Sequence, residues 1–322
     1  MPAVKICEIS KDKIGQKITA YAVVKEKFRK LTINQPQKEY LEVHITDGTA
    51  GAVLKIWEPN DLLDKLCSSK NMIYFMATVA EFNGRIHLNL VNENGKNYIR
   101  RVKENELDTT CLADNPPSHV SVELLKKEFD AFGDCLERHR KQLWDKIFSS
   151  EVKTMFYKQY GSIKAHHTYA GGLARHSMET MEAAEMLCRQ NNLGERMQLV
   201  KFCACLHDIG KIYYYSLPPL VEITIDGRLF GHEYLGARIV ENALKSVPEY
   251  PSHEAAIILH TILSHDQNGD VLRPMTIEAS IVSEANKSSS RVEGVKDFID
   301  KDVSENSLTN FDAFRSQYFL RI

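Results

Sequence analysis

Cys205 to Lys211 reads CLHDIGK, an imidazole directly before a carboxylate at the end of an apolar run. Buried side by side the two need partners, because an unpaired charge away from water costs several kcal/mol. A metal ion would supply that partner. Eight of the twelve histidines lie between His166 and His265: His166, His167, His176, His207, His232, His253, His260 and His265. A lone histidine on an apolar helix face is ordinarily a satisfied core residue, so the set is judged together. His176 opens one helical pattern and His207-Asp208 closes another, so two helix ends can bring two imidazoles and a carboxylate to one point. Mixed nitrogen and oxygen ligands of this kind suit manganese, iron, zinc or magnesium with retained waters, and argue against a thiolate site. His260 and His265, five positions apart, lie about 140° around a helix axis, so both do not easily serve one ion. His253 and His260 read as core or surface residues.

These side chains need a scaffold of ample size. The chain has 322 residues, 43% hydrophobic and 26% charged, which fits a globular protein of two or three domains rather than a disordered or fibrous one. Its first residues, MPAVKICEISKDK, lack the apolar centre of a secretory signal, and no later run approaches a membrane span. A cytoplasmic location without membrane partners is expected. The seven cysteines form no CxxC pair and are odd in number, so they read as reduced core residues. Net charge is −2, but the first 105 residues carry 17 Lys and Arg against 12 Asp and Glu, leaving the rest acidic. That split suggests a polyanion-holding module joined to one that collects cations.

Residues 14 to 103 read as strands. LEVHI alternates before an Asp47-Gly48 turn, and IYFMATVAEF is followed by Asn83-Gly84, a strong hairpin signal, and then RIHLNL. In that last strand Ile86, Leu88 and Leu90 face one way and Arg85, His87 and Asn89 the other. Five or so short strands in about ninety residues match a small Greek-key barrel, most often an OB-fold with a nucleic-acid-binding face. Lysines and arginines from Lys25 to Arg85, among them Lys27, Arg29, Lys30 and Lys55, mix with Phe28, Tyr40, Trp57, Tyr74 and Phe82. Such a mixture can form a phosphate-tracking groove with stacking rings, against the plainer reading of core rings and solvated lysines. The polar, proline-containing stretch from Glu104 marks a linker. Beyond it the periodicity turns helical, with Ser121 as N-cap of VELLKKEFDAF. VEITIDGRLF interrupts it, where alternation and Asp226-Gly227 predict a small β-hairpin, and KSSSR (Lys287 to Arg291) reads as loop-like. The expected architecture is an OB-like β-barrel over 1–103, a linker over 104–120, an all-α bundle with a hairpin insertion over 121–300, and a tail over 301–322.

GGLARHS, CLHDIGK, FGHEYLG and ILSHD, in this order, resemble the HD-domain superfamily of metal-dependent phosphohydrolases. With LEVHITDGTAGAVLKIWEP in front, the chain resembles the bacterial YhaM family, which joins an OB-fold to an HD domain and degrades RNA from its 3′ end. The similarity runs from about Ile14 to Arg291. It implies His176, His207 and Asp208 as metal ligands, with His232 and His265 building a second metal position. The family's last ligand is an aspartate, and Asn286 stands there, followed by Lys287 where an acid is usual. Asn286 is a ligand, or the aspartate's role passes elsewhere, or the site is degenerate; Glu284 lies about 200° away around a helix and does not substitute.

The implied activity is a 3′-to-5′ exonuclease of single-stranded RNA, with single-stranded DNA as a further substrate, using one or two divalent ions, Mn²⁺ favoured. Asp208 holds metal at the reacting centre. Lys211 meets a phosphate oxygen or serves as a helix C-terminal cation. His166 or His167 protonates the leaving oxygen, binds phosphate or simply packs in a loop. Lys55, Trp57, Arg85 and His87 bind the strand. The alternatives are an HD phosphohydrolase of free nucleotides, with the barrel serving a homo-oligomer, and a nucleic-acid-binding protein whose site has decayed.

Overall fold

Alternating apolar residues drive the first half of the chain into a curled sheet and three- and four-residue repeats drive the second into helices, as the computed structural model shows. It describes residues 3–33, 35–82, 84–102, 116–117, 119–163, 165–218, 221–266, 272–301, 307–312 and 315–320. One compact unit contains Met1–Asn115 and the other Pro116–Leu217 with Val221–Ile322. Of the expected linker, residues 104–115 and 118 lie outside the described residues, as does Asn83 of the expected Asn-Gly turn.

The first unit holds β1 (Lys17–Leu31), β2 (Glu39–Thr46), β3 (Gly51–Trp57), helix α1 (Asp61–Leu66), β4 (Met72–Phe82), β5 (Arg85–Leu90), the short β6 (Asn92–Glu93) and β7 (Lys96–Asn97), and β8 (Ile99–Arg101). The main sheet runs β1-β2-β3-β5-β4-β8, and the long β1 also pairs with β4, curling the sheet into an OB-like form. β3 and β5 run parallel, with Leu54 opposite Leu88 and Lys55 opposite Asn89, whereas the other described strand pairs of this sheet are antiparallel. Leu41, Val43, Ile45, Leu54, Ile56, Phe75 and Leu88 are among the residues that fill its core. Burying a side chain of this size contributes about 1.5–3 kcal/mol. The residues between them in sequence are left on the opposite face.

The second unit contains α2 (Val122–Asp134), α3 (Arg138–Ile147), α4 (Ser150–Phe156), α5 (Gly172–Gln190), α6 (Met197–Leu206), α7 (Lys211–Tyr214), α8 (Ile225–Leu244), α9 (Ser252–Ser264) and α10 (Ile277–Lys301). Ser121 caps α2 as expected, its side chain accepting from the Leu124 N–H. Phe129 packs against Trp144, Phe148 and Phe156 with ring centroids 4.6–4.9 Å apart, which ties α2, α3 and α4 into one aromatic core. Among the described residues no helix is long and apolar enough to cross a membrane.

Three expectations are corrected. Asp226-Gly227 makes no hairpin turn, because Thr224 caps α8 by accepting from the Gly227 N–H at 2.9 Å, and the pair enters the first helical turn. Among the described residues, the alternation before it forms a bridge between Tyr215 and Ile223, with Ser216 N–H donating to the Glu222 carbonyl and Thr224 N–H to that of Tyr214. KSSSR is helical, lying inside α10, where Ser289 is buried against α5 and tertiary contacts outweigh the weak helix propensity of serine. Cys7 and Cys135 are exposed rather than core residues, while Cys67, Cys188, Cys203 and Cys205 are buried and all six are free.

Candidate metal centre

Five helix ends converge on Asp208. His176 lies in the second turn of α5, His207 and Asp208 follow α6, Lys211 begins α7, His232 follows a break in α8, and His265 follows α9. Gly231 makes the break with φ 75°, a left-handed conformation that costs a residue with a Cβ. Gly210 answers for the glycine of CLHDIGK: a Cβ there would overlap the His232 carbonyl, so this glycine lets α8 press against the His207-Asp208 turn.

The two carboxylate oxygens of Asp208 serve two pairs of imidazoles. Oδ2 lies 3.3 Å from Nε2 of both His176 and His207, and Oδ1 lies 3.3 Å from Nε2 of His232 and 3.5 Å from that of His265. His176 and His207 are themselves 3.2 Å apart through their Nε2 atoms. Two ligand groups result, His176–His207–Asp208 and Asp208–His232–His265, and a third group of His232, Glu233 and Asp266 lies at the rim. In each imidazole the far nitrogen has a neighbour of its own. Nδ1 of His207 donates to the Ala204 carbonyl at 2.7 Å and that of His265 to the Ile262 carbonyl at 2.8 Å. Nδ1 of His176 meets Ser289 Oγ at 3.1 Å, and that of His232 lies 3.4 Å from Glu233. Since a carbonyl only accepts, Nδ1 of His207 and His265 must carry a proton, and in the neutral imidazole Nε2 keeps its lone pair.

Electrostatics agrees with a cation site. Burial raises the Asp208 carboxyl, but Lys211 and the surrounding imidazoles outweigh it and hold the group well below the usual carboxylate range. Burial pushes His176 down to about 3 and lowers His207, so both are neutral and able to ligate. His265 moves up: burial lowers it, yet its contact with Asp208 and the charge there prevail. Asp208 Oδ1 and His232 Nε2 are buried without a hydrogen bond among the described residues. Orphaned polar atoms of this kind, in a cage of imidazole nitrogens and carboxylate oxygen, fit a divalent metal.

The cage opens into a cleft of about 1020 Å³ whose wall includes His166, Lys211, Arg228, Arg291, Asn286, Arg315 and Gln317. Lys211 is buried, with Nζ 2.6 Å from Asp208 Oδ2 and 2.8 Å from the Gly161 carbonyl, and it starts a helix rather than ending one. Asn286 is half-buried on this wall, and Glu284 is exposed and paired with Lys287 at 2.9 Å. His166 faces the cleft with a buried, unpartnered Nε2. Burial first, then the His176 and Lys211 charges, push its pKa far down, so it stands there as a neutral imidazole and not as an imidazolium acid. His167 does not line the cleft: Nε2 lies 3.0 Å from Glu179 and Nδ1 3.1 Å from the Tyr169 hydroxyl, so it does not match the expected proton-donor or phosphate-binding role. His260 accepts from the Met275 N–H at 2.8 Å, and His253 is exposed.

Sequence reading missed Arg228, Arg291, Arg315 and Gln317, which reach the cleft through tertiary contacts alone. Arg315 and Gln317 come from the expected tail, folded by bridges Leu308–Leu320 and Asp312–Gln317. Glu179 and Ser289 were also missed, although each lies three residues from a candidate ligand on a helix, a spacing that shares one face.

In the first unit, Lys55 and Trp57 of β3 lie beside Asn89 and His87 of β5 on the outward face. Trp57 donates to Asn89 at 3.1 Å, stacks near Tyr40 with centroids 4.9 Å apart, and is 40% exposed. Lys55 lies over the rings of Tyr40 and Phe82, and burial, then Lys55, lowers His87. Arg85 is exposed at the start of β5. Lys27, Arg29 and Lys30 instead pair with Asp64, Glu39 and Glu42, so they are engaged by acids rather than open to phosphate.

Residues 173–290 match the family described as HD domain. The chain is 24% identical over 276 residues to "3′-5′ exoribonuclease YhaM" of Bacillus subtilis (strain 168), covering 84% of this chain and 83% of that protein. The figures are the same for the protein of that name in Bacillus pumilus (strain SAFR-032). Among solved structures, the OB domain of Ta0387 from Thermoplasma acidophilum aligns at 20% identity and TM-score 0.26, covering 31% of this chain and 86% of that one. With an HD-domain match behind an OB-like unit, and this likeness along most of its length, the chain is similar to the YhaM exoribonucleases in sequence and in the order of its parts.

Proposed function

We propose that this protein is a metal-dependent 3′-to-5′ exonuclease that hydrolyses single-stranded RNA to nucleoside monophosphates. The observation that carries the reading is the single carboxylate of Asp208 shared between two pairs of inward-turned imidazoles at the floor of a cation-walled cleft. His176, His207 and Asp208 would hold one divalent ion, and Asp208, His232 and His265 a second, with Asn286 as a neutral oxygen donor on the cleft wall. Such an ion, Mn²⁺ by preference, acidifies a water and offsets charge on the phosphate oxygens. In the net reaction a water oxygen bonds to phosphorus, the P–O3′ bond breaks, the water loses a proton and the 3′ oxygen of the shortened strand gains one. Lys211 holds Asp208 in place and offers charge to the phosphate; the neutral His166 offers or accepts a hydrogen bond at Nε2. Arg228, Arg291 and Arg315 bind phosphate oxygens at the cleft wall. The first unit holds the strand by stacking on Trp57, Tyr40 and Phe82, with Lys55, Arg85 and His87 beside the backbone.

The test is Mn²⁺-dependent hydrolysis of 3′-labelled and 5′-labelled single-stranded RNA and DNA of graded length beside a mononucleotide ester. Release of 5′-monophosphates one at a time from the 3′ end, faster on longer strands, is expected; equal rates on the mononucleotide ester and long RNA would defeat the proposal in favour of free-nucleotide hydrolysis. Trp57→Ala should weaken RNA binding by about 1–3 kcal/mol, the worth of one base–aromatic stack. Hydrolysis of the mononucleotide ester should stay unchanged in that variant.

Metal binding should also depend on pH with a definite sign. Because the His265 pKa is raised in the metal-free protein, its proton competes with the metal, so Mn²⁺ affinity should rise with pH through the range above the ordinary histidine value near 6.5. Titrating Mn²⁺ by electron paramagnetic resonance at several pH values measures this. In His265→Gln that pH dependence should flatten.

A further inference from the structure

Two imidazoles of the cage turn their far nitrogen to a side chain rather than to the backbone, His232 to Glu233 at 3.4 Å and His176 to a hydroxyl. Nδ1 of His207 and His265 donates to a backbone carbonyl of its own helix, whereas Nδ1 of His176 meets the Ser289 hydroxyl of α10 at 3.1 Å. Ser289 is 9% exposed and in turn donates to Glu179 Oε2 at 2.8 Å. Glu179 is held by Arg175, whose Nε lies 2.7 Å from Oε1, and by His167, whose Nε2 lies 3.0 Å from Oε2. The polarity of this chain can be read link by link. His167 Nδ1 lies 3.1 Å from the Tyr169 hydroxyl, and its Nε2 stands 3.0 Å from the carboxylate of Glu179. A carboxylate paired with Arg175 only accepts, so the one hydrogen of Ser289 is committed to Glu179. The Ser289 oxygen can then only accept from His176, whose proton must sit on Nδ1 and whose Nε2 lone pair faces Asp208.

We infer that Ser289 and Glu179 are positioning residues that fix His176 in its Nδ1–H form and pass to it the negative charge that Asn286 does not bring to the cage. A ligand histidine that donates its second nitrogen to a carboxylate, directly or through a hydroxyl, is a stronger base and is fixed in rotation. Here the carboxylate is contributed from α5 through a serine of α10, one helical turn beyond Asn286. The inference rests on the metal reading of the site.

Two measurements test it. In the ¹⁵N-labelled, metal-free full chain, a long-range ¹H–¹⁵N spectrum, assigned with His176→Gln, should show His176 protonated at Nδ1. Ser289→Ala should convert it to a mixture of tautomers, and Ser289→Thr should restore the single form. Mn²⁺ titration followed by electron paramagnetic resonance should show Ser289→Ala and Glu179→Gln each binding about 10–100-fold more weakly, the usual cost of losing such a partner. Glu179→Gln keeps the shape of the side chain while removing its charge and one acceptor oxygen, and a melting curve separates this effect from folding. A wild-type His176 protonated at Nε2 overturns the inference, as do unchanged Mn²⁺ affinities in both variants. A wild-type chain that binds no Mn²⁺ overturns the metal reading itself, and with it the purpose assigned here to Glu179 and Ser289.

Discussion

Asp208→Asn should lower hydrolysis by about 10³-fold, the upper end of what the loss of one electrostatic stabiliser costs. The substitution keeps the shape of the side chain, so the loss is chemical. A carboxylate offers equivalent oxygens to His176 and His207 on one side and to His232 and His265 on the other. An amide has one oxygen and turns N–H groups toward the other pair of imidazoles, whose Nε2 atoms it then occupies. Both ligand groups share this residue, so both should lose Mn²⁺ together, and elemental analysis should show both positions empty in the same variant. The substitution also leaves Lys211, 2.6 Å away and buried, without its counter-charge. Breaking a buried pair by removing one partner costs about 3–5 kcal/mol, so a lower melting temperature should accompany the lost activity. Lys211→Met in the same background should recover part of the stability and none of the hydrolysis. A variant that keeps a tenth of the wild-type rate would show that Asp208 does not hold the reacting centre.

Glu254→Ala should be the most destabilising single change away from the cleft. Glu254 of α9 is 7% exposed and takes two hydrogen bonds from Arg140 of α3, Nε to Oε2 at 3.0 Å and Nη2 to Oε1 at 2.5 Å. His139 and Tyr250 close on the same carboxylate, and Arg140 also donates to Gln198 of α6 at 2.8 Å. Removing the carboxylate leaves a buried guanidinium with the neutral Gln198 and only the exposed Glu137, 3.4 Å from Nη1, as its remaining acid, at a cost of about 3–5 kcal/mol. In a unit of this size each kcal/mol moves the midpoint by about 2–4 °C, so a drop on the order of 10 °C is expected in the melting of the helical unit. The dependence on acid has a definite sign. Burial raises the Glu254 carboxyl, but Arg140 and His139 outweigh it and lower the pKa below the ordinary value. Its contribution is therefore fully present above the unfolded carboxyl value near 4.3 and is lost as pH falls through the lower folded value. Glu254→Gln should remove that part of the acid sensitivity, and a melting temperature within 2 °C of wild type in Glu254→Ala, on the order of the 2–4 °C that one kcal/mol is worth, would refute the account.

The sequence by itself determined the identity of most elements, and the motifs in it pointed by resemblance to most of the cage. Period-two alternation in LEVHI and RIHLNL and helical spacing from Ser121 onward are local properties of the chain, which is why strands β2 and β5 and helix α2 stand where those patterns lie. The ordered GGLARHS, CLHDIGK, FGHEYLG and ILSHD motifs implied His176, His207, Asp208, His232 and His265 through their resemblance to the HD-domain superfamily, and the structure brings these side chains together. Tertiary structure alone decided which face each end presents and what answers it. Nothing local distinguishes His166, which reaches the cleft, from His167, which turns to Glu179 at 3.0 Å. Asp226-Gly227 and KSSSR carry turn and loop signals of a strength that a capping threonine and one buried helix face suffice to override. The network from Glu179 through Ser289 to His176 joins residues more than 100 positions apart, 110 and 113 along its two hydrogen bonds. Such contacts follow from how helices pack, and a one-dimensional pattern holds the spacing of residues along a helix but not the partner across from it.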